Sequence, residues 1–190
     1  MAALLEGPAD WISPQNDGVS GDYQNDPPAA DGRKVILNDT DHLWGVGGDR
    51  TWVWKSFTRG HNPIYMDPLS SHGWKTITEA EMEGARQAMG DTRRWAGWIN
   101  LATMTPQPTL ASTRYCLASA GREYLVYQPK AEEDFSAELS AGTYRYEWFN
   151  PANGQVAGSG SMQTTDARHQ FKAPFEGDAV LHLRRVEMPK

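Results

Sequence analysis

Only one cysteine, Cys116, occurs among the 190 residues, so no internal disulfide can form, and a lone thiol in a β-rich stretch reads as a small core residue. Basic runs are equally scarce, with nothing longer than Arg93-Arg94 or Arg184-Arg185. The net charge of -6 and pI near 5.3 argue against nucleic acid or an anionic membrane as the main partner, because either needs a basic patch. No apolar stretch has the length of a membrane span, and Ala2 to Leu5 is too short for the core of a signal peptide. His-x-x-x-His and cysteine pairs are missing too, which leaves a metal reading of Asp39, Asp41 and His42 without support. No cofactor is implied. A serine or cysteine nucleophile has no motif either, since GSGS at 158–161 is expected in a turn rather than at a strand-to-helix elbow.

What the chain does have is aromatic surface and one dense polar stretch. Eight tryptophans and seven tyrosines suit both core packing and stacking on sugar rings. In Lys34 to Pro68, KVILNDTDHLWGVGGDRTWVWKSFTRGHNPIYMDP, the apolar run Val35, Ile36, Leu37 reads as a strand buried on both faces. Asn38, Asp39, Thr40, Asp41 and His42 crowd its end, where open α/β sheets and β/α barrels place their active sites. Gly45, Gly47 and Gly48 let the backbone turn, Asp49 can cap a helix carrying Trp52, Val53 and Phe57, and Asn62 to Asp67 reads as a second strand.

Before this stretch, residues 1–33 form a tract of Gly, Pro, Asp and Asn without periodicity, although Trp11, Ile12 and Tyr23 favour a loop that packs on something. After it, Thr78 and Glu81 form a capping box, with Ile77 and Met82 at staple spacing. Met82, Ala85, Met89, Ala96 and Ile99 then recur on one helical face. The pattern changes at Thr105 to Pro108. Short aromatic and β-branched segments follow, at 123–127, 135–139, 143–149, 155–157, 170–172 and 179–186, separated by turns such as Asn150 to Gly154. Tyr144, Tyr146 and Trp148 alternate with Arg145 and Glu147, as in a half-exposed antiparallel strand. The fold class read from this is α/β plus all-β, with one domain over 1–104 and a β-sandwich over 105–190.

The phrases ILNDTDHLWGVGGDRTWVWKSFTRGHNPIYMDP, YLVYQP, EWFNPANG and APFEGDAVLHL closely resemble the C-terminal portion of bacterial apiosidase-like glycoside hydrolases, and the resemblance runs over essentially the whole chain. That group joins a (β/α) barrel to a β-sandwich labelled as collagen-binding. The resemblance implies the last two β/α units of a TIM-type barrel, followed by an antiparallel β-sandwich. Lys34 to Asp39 is then like the seventh barrel strand, Asn62 to Asp67 like the eighth, and Thr78 to Asn100 like the closing helix. It further implies that Met1 lies inside a longer enzyme, that full-length relatives are exported or periplasmic, and that the isolated fragment is inactive.

Glycoside hydrolysis needs two carboxyl groups. Asp39 and Asp41, at a strand end, are candidates for one, with His42 to orient or tune its neighbour, and the partner acid would come from the absent strands. The competing reading is that aspartates at strand ends close turns. Trp11, Trp44 and Trp74 lie in or beside loops that a barrel gathers at one face; they suit a sugar platform, or else plug the barrel or pack on the sandwich. Arg50 is a further candidate if it reaches a strand-end carboxylate, the competing reading being an ordinary helix-surface charge. The expected partner is a poly- or oligosaccharide, with self-association through an incomplete barrel. The alternative is a non-catalytic sandwich that binds carbohydrate or extracellular matrix.

Overall fold

A computed structural model describes residues 2–15, 21–69, 78–130 and 133–187. The chain divides into two compact units, residues 1–97 and 98–190. Among the described residues no helix is long and apolar enough to cross a membrane.

The first unit contains α1 (Ala2–Glu6), β1 (Trp11–Ile12), β2 (Val35–Asp39), α2 (Thr40–Leu43), α3 (Arg50–Thr58), β3 (Asn62–Ile64) and α4 (Glu79–Trp98). Its strands form one parallel sheet in the order β1-β2-β3, three strands where the sequence pointed to two. The additional strand falls within the tract expected to be a packed loop. Val35 N–H donates to the Asp10 carbonyl at 3.0 Å, and Lys34 Nζ donates to the carbonyls of Gly7 and Ala9, so the segment is tied alongside β2. Two residues without alternation carry too little pattern to announce a strand.

The two faces of this sheet differ. Ile36 and Asn38 of β2 are buried, and the Asn38 amide donates to Ser56 Oγ of α3 at 2.9 Å, so this face lies against that helix. Trp11, Val35, Leu37, Asp39, Asn62 and Ile64 share the opposite face by register and alternation. There Trp11 remains 57% and Val35 50% exposed.

Trp52, Val53 and Phe57 of α3 are covered and buried. Residues 21–30 supply part of that cover. Trp52 Nε1 and Lys55 Nζ donate to the carbonyls of Tyr23 and Asn25 at 3.1 and 2.7 Å, Arg59 meets Asp26 at 3.3 Å, and the Tyr23 ring stacks on His61 at 5.6 Å. Burial of this aromatic layer contributes on the order of 2 kcal/mol per side chain.

The capping box of α4 is present as read: Thr78 N–H donates to Glu81 Oε2 at 2.8 Å, and Glu81 N–H donates to Thr78 Oγ1 at 3.2 Å. Ile77, its expected staple, lies outside the described residues. The buried face of the helix is Met82, Ala85, Ala88 and Trp95, while Met89 and Ala96 are half-buried. Asp91, also buried, pairs with Arg94 one turn on.

The second unit opens with a 3-10 turn at Leu101–Thr103 and continues as β4 (Thr105–Pro106), β5 (Cys116–Ser119), β6 (Glu123–Gln128), β7 (Phe135–Leu139), β8 (Gly142–Asn150), β9 (Gln155–Thr164), β10 (Ala167–Phe171) and β11 (Ala179–Arg185). Six strands make an antiparallel sheet in the order β4-β5-β6-β11-β8-β9, and β10 pairs with β7 in a second, two-stranded antiparallel sheet. Their shared core holds Ala118, Tyr124, Val126, Phe135, Leu139, Tyr144, Trp148, Leu181 and Leu183. Cys116 belongs to it as expected, and burial pushes its thiol up to about 12. The Tyr144, Tyr146, Trp148 alternation is present in β8, whose Arg145 and Glu147 are exposed. Its turn is closed by Asn150, whose carbonyl accepts from Gly154 N–H at 2.9 Å, with Gly154 at φ 68.

GSGS at 158–161, expected in a turn, lies inside β9. Tyr146 sits opposite Gly160, and a Cβ added there would come within 2.8 Å of the Tyr146 hydroxyl. The missing side chain makes room for a cross-strand ring, which is why a glycine-rich segment holds a strand here.

Candidate active site at the carboxyl edge of the parallel sheet

Parallel strands end on the same edge, so Ser13 after β1, Asp39 to His42 at the end of β2 and Tyr65 to Asp67 after β3 are brought to one rim. These are the positions at which α/β enzymes collect catalytic groups.

At β2 the chain turns directly into α2, a helix of four residues. Asp39 is its N-cap: the carboxylate accepts from Asp41 N–H at 3.0 Å, and the backbone stays extended. Asp39 nevertheless closes the row Val35, Leu37, Asp39 on the open face of the sheet. Its capping bond uses one oxygen, and among the described residues the other accepts no hydrogen bond. Thr40 points the other way and is buried, with Oγ1 accepting from Met66 N–H at 2.8 Å, which pins the end of β3 to α2. Asp41 and His42 are exposed on the rim.

Ser13 was not among the residues singled out from sequence. Its Oγ lies 2.9 Å from His42 Nδ1, linking the ends of β1 and β2 across 29 positions of chain. No local pattern encodes that pairing, because it requires β1 to be recognised as a strand.

The glycine loop after α2 closes over the same edge. Gly47 N–H donates to the Met66 carbonyl at 3.1 Å. Gly48, at φ 123, packs so tightly that a Cβ would lie 3.0 Å from Thr40 Cγ2. Trp44, 38% exposed, sets its ring edge-to-face with Trp52 at 5.8 Å. Asp49 caps α3 through Trp52 N–H at 2.7 Å, as read from sequence. Arg50 opens α3 half-buried, with its Cβ 3.9 Å from where a side chain on Gly84 of α4 would begin. Trp11 stands within β1 on the open face, not in a loop. Trp74 falls at 70–77, outside the described residues.

Asp67 is committed to structure. Arg86 Nε and NH2 of α4 donate to its two oxygens at 2.7 and 2.8 Å, and this pairing holds the carboxyl below the usual range. Beside it, burial pushes the Tyr65 phenol up. Among the described residues, then, the strands place one carboxylate, Asp39, on the open face of the sheet, and no group of three metal-ligating side chains gathers anywhere.

No family model and no curated protein sequence matches the chain. Solved structures do. A protein named glycoside hydrolase superposes with a TM-score of 0.56 at 11% identity over 80% of this chain and 42% of its own. A glycoside hydrolase family 5 protein from Bacteroides vulgatus ATCC 8482 superposes with a TM-score of 0.61 at 11% identity over 93% of this chain and 51% of its own. The likeness is one of fold, and the chain spans about half the length of either structure.

Proposed function

We propose that this chain is the C-terminal portion of a glycoside hydrolase acting on polysaccharide, its parallel sheet completed into a barrel by further β/α units and its antiparallel unit a sandwich of the apiosidase-like kind. The observation that carries the reading is Asp39, a carboxylate at the end of the central parallel strand on a sheet face left open and apolar. The half-length likeness to glycoside hydrolases supports it. Asp39 is the carboxyl assigned to the scissile bond, with Asp41 and His42 flanking it, and Trp11, Trp44, Trp74 and Arg50 assigned to the sugar. Hydrolysis needs a second carboxyl across the bond, which the missing units would bring. The isolated chain is therefore inactive, and its open face favours self-association.

A second reading, a carbohydrate-binding module, draws on a groove of about 380 Å³ in the antiparallel unit, where Phe175 lies among Gln128, Lys130, Glu133 and Lys172. One experiment separates the two: titrate the chain with xylo-, cello- and manno-oligosaccharides and follow its backbone amides. Shifts at 39–50 without turnover of aryl glycosides support the hydrolase reading. Shifts confined to 128–135 and 172–177 favour the module. Turnover abolished by Asp39→Asn would contradict the need for a second carboxyl.

A further inference from the structure

At one end of the six-stranded sheet a hollow of about 810 Å³ is walled by Arg122, Arg184 and Arg185, with Glu123 at its floor and Glu187 on its rim. In a chain of net charge -6, three arginines are thus gathered around one hollow. Two of the three are held in place. Arg184 Nε meets Glu123 at 3.2 Å, and Glu123, nearly buried, is also within 2.9 Å of His182 Nε2 and accepts from Asn100 N–H at 3.4 Å. Arg185 NH1 donates to the Gly121 carbonyl at 3.3 Å, and its guanidinium lies so close over Gly142 that a Cβ there would meet Nε at 2.9 Å. The floor carboxylate is thus shared between Arg184, His182 and the Asn100 N–H, whereas among the described residues Arg185 donates to a neutral carbonyl.

Two further features leave positive charge unanswered. Arg122 is exposed, and among the described residues it has no carboxylate partner. Arg145 of β8 sits directly opposite Arg184 in the ladder, a like-charge pairing that costs stability, and it too lacks a carboxylate partner among the described residues; Glu147, two residues on, lies near His182 at 3.9 Å instead. Anchored, planar donors are the arrangement that recognises carboxylate and sulfate groups, because little ordering remains to be done on binding.

We propose that this hollow binds an acidic glycan, with Arg122, Arg184 and Arg185 taking carboxylate or sulfate groups spaced along the sugar chain. Its volume exceeds what a single inorganic anion fills, and Ser119 and Asn100 beside the arginines add hydroxyl and amide partners for a sugar. The inference rests on the carbohydrate reading above and narrows its ligand to an anionic one.

The test is calorimetric titration of the whole chain with polygalacturonate, dextran sulfate, neutral amylose and inorganic sulfate at low salt and at about 0.5 M salt. Binding to one or both acidic polymers is expected, lost at high salt and weakened about tenfold by Arg122→Ala or Arg185→Gln. Lys172→Ala, which removes the same charge at the other groove, should leave it unchanged. Equal binding of amylose, untouched by the arginine variants, would overturn the inference while leaving the carbohydrate reading standing. Binding of inorganic sulfate alone, with no polymer retained, would overturn the inference as well, the carbohydrate reading being tested separately by the oligosaccharide titration.

Discussion

In the antiparallel unit β6 is buried along its whole length and Leu125, Val126, Leu181 and Leu183 are fully buried, whereas in the parallel unit Trp11, Val35, Ile64 and Met66 all keep large parts of their surface in solvent. The side chains are of similar kind; the topology differs. An antiparallel strand finds its neighbours through short turns, so β8 and β9 can pair over nine positions from one Asn150 turn. A parallel strand needs a crossover for each neighbour, and among the described residues three strands of two, five and three residues leave both edges of the sheet unpaired and much of one face exposed. Pairing in the first case is local, and in the second it requires long connections.

The sharpest contrast should come from truncating one residue in each sheet. Leu181→Ala, within the packed core, is expected to cost about 2–5 kcal/mol in urea unfolding. Val35→Ala, half exposed on the open face, is expected to cost less than about 1 kcal/mol. Similar losses would mean that something covers Val35 in solution.

A second expectation concerns pH. His61 is buried against Tyr23, and burial lowers its pKa from 6.5 to about 4, the nearby Pro28 carbonyl and Arg59 modifying this less. Its folded pKa lies below its unfolded one, so the unfolded chain takes the proton first. Stability from this site is present above about pH 6.5 and is lost as pH falls toward 4, by roughly 3 kcal/mol. Unfolding curves of His61→Gln should lack this part of the slope. The loss should appear in signals from residues 1–97 and not in Trp148, which packs in the antiparallel core.

The smallest effect should come from α4. Thr78→Ala removes both bonds of the Thr78 hydroxyl, leaving the Thr78 N–H bond to Glu81 in place, and is expected to cost about 0.5–1 kcal/mol, because the site is exposed and water replaces part of what is lost.

How much of this was legible follows the range of the interactions. The Thr78 cap, the Asn150 turn and the Tyr144, Tyr146, Trp148 alternation are contacts within a few residues, and each stands in the structure as the sequence implied. Signals failed where strands are short or fully buried. Trp11–Ile12 shows no period, and Cys116–Ser119 is buried almost throughout, which erases the alternation of a half-exposed strand. The Gly-Ser run of β9 reads as a turn until Tyr146 is seen lying across Gly160. At the candidate site, the strand-end aspartates were readable as a cluster, but their division of labour was not. Asp39 caps α2 and faces the open side, Asp67 is held by Arg86, and the Ser13 to His42 link spans a strand that the sequence does not mark.

The proposed function makes the parallel sheet incomplete and leaves the antiparallel one self-sufficient. Hydrogen exchange on a dilute, monomeric sample measures this most directly, because amides report the free energy of local opening. Amides of 35–37 and 64–66 should exchange faster than those of 124–127 and 144–148. Equal, slow exchange in both sets would contradict the account, since it would show the parallel sheet to be as complete as its neighbour.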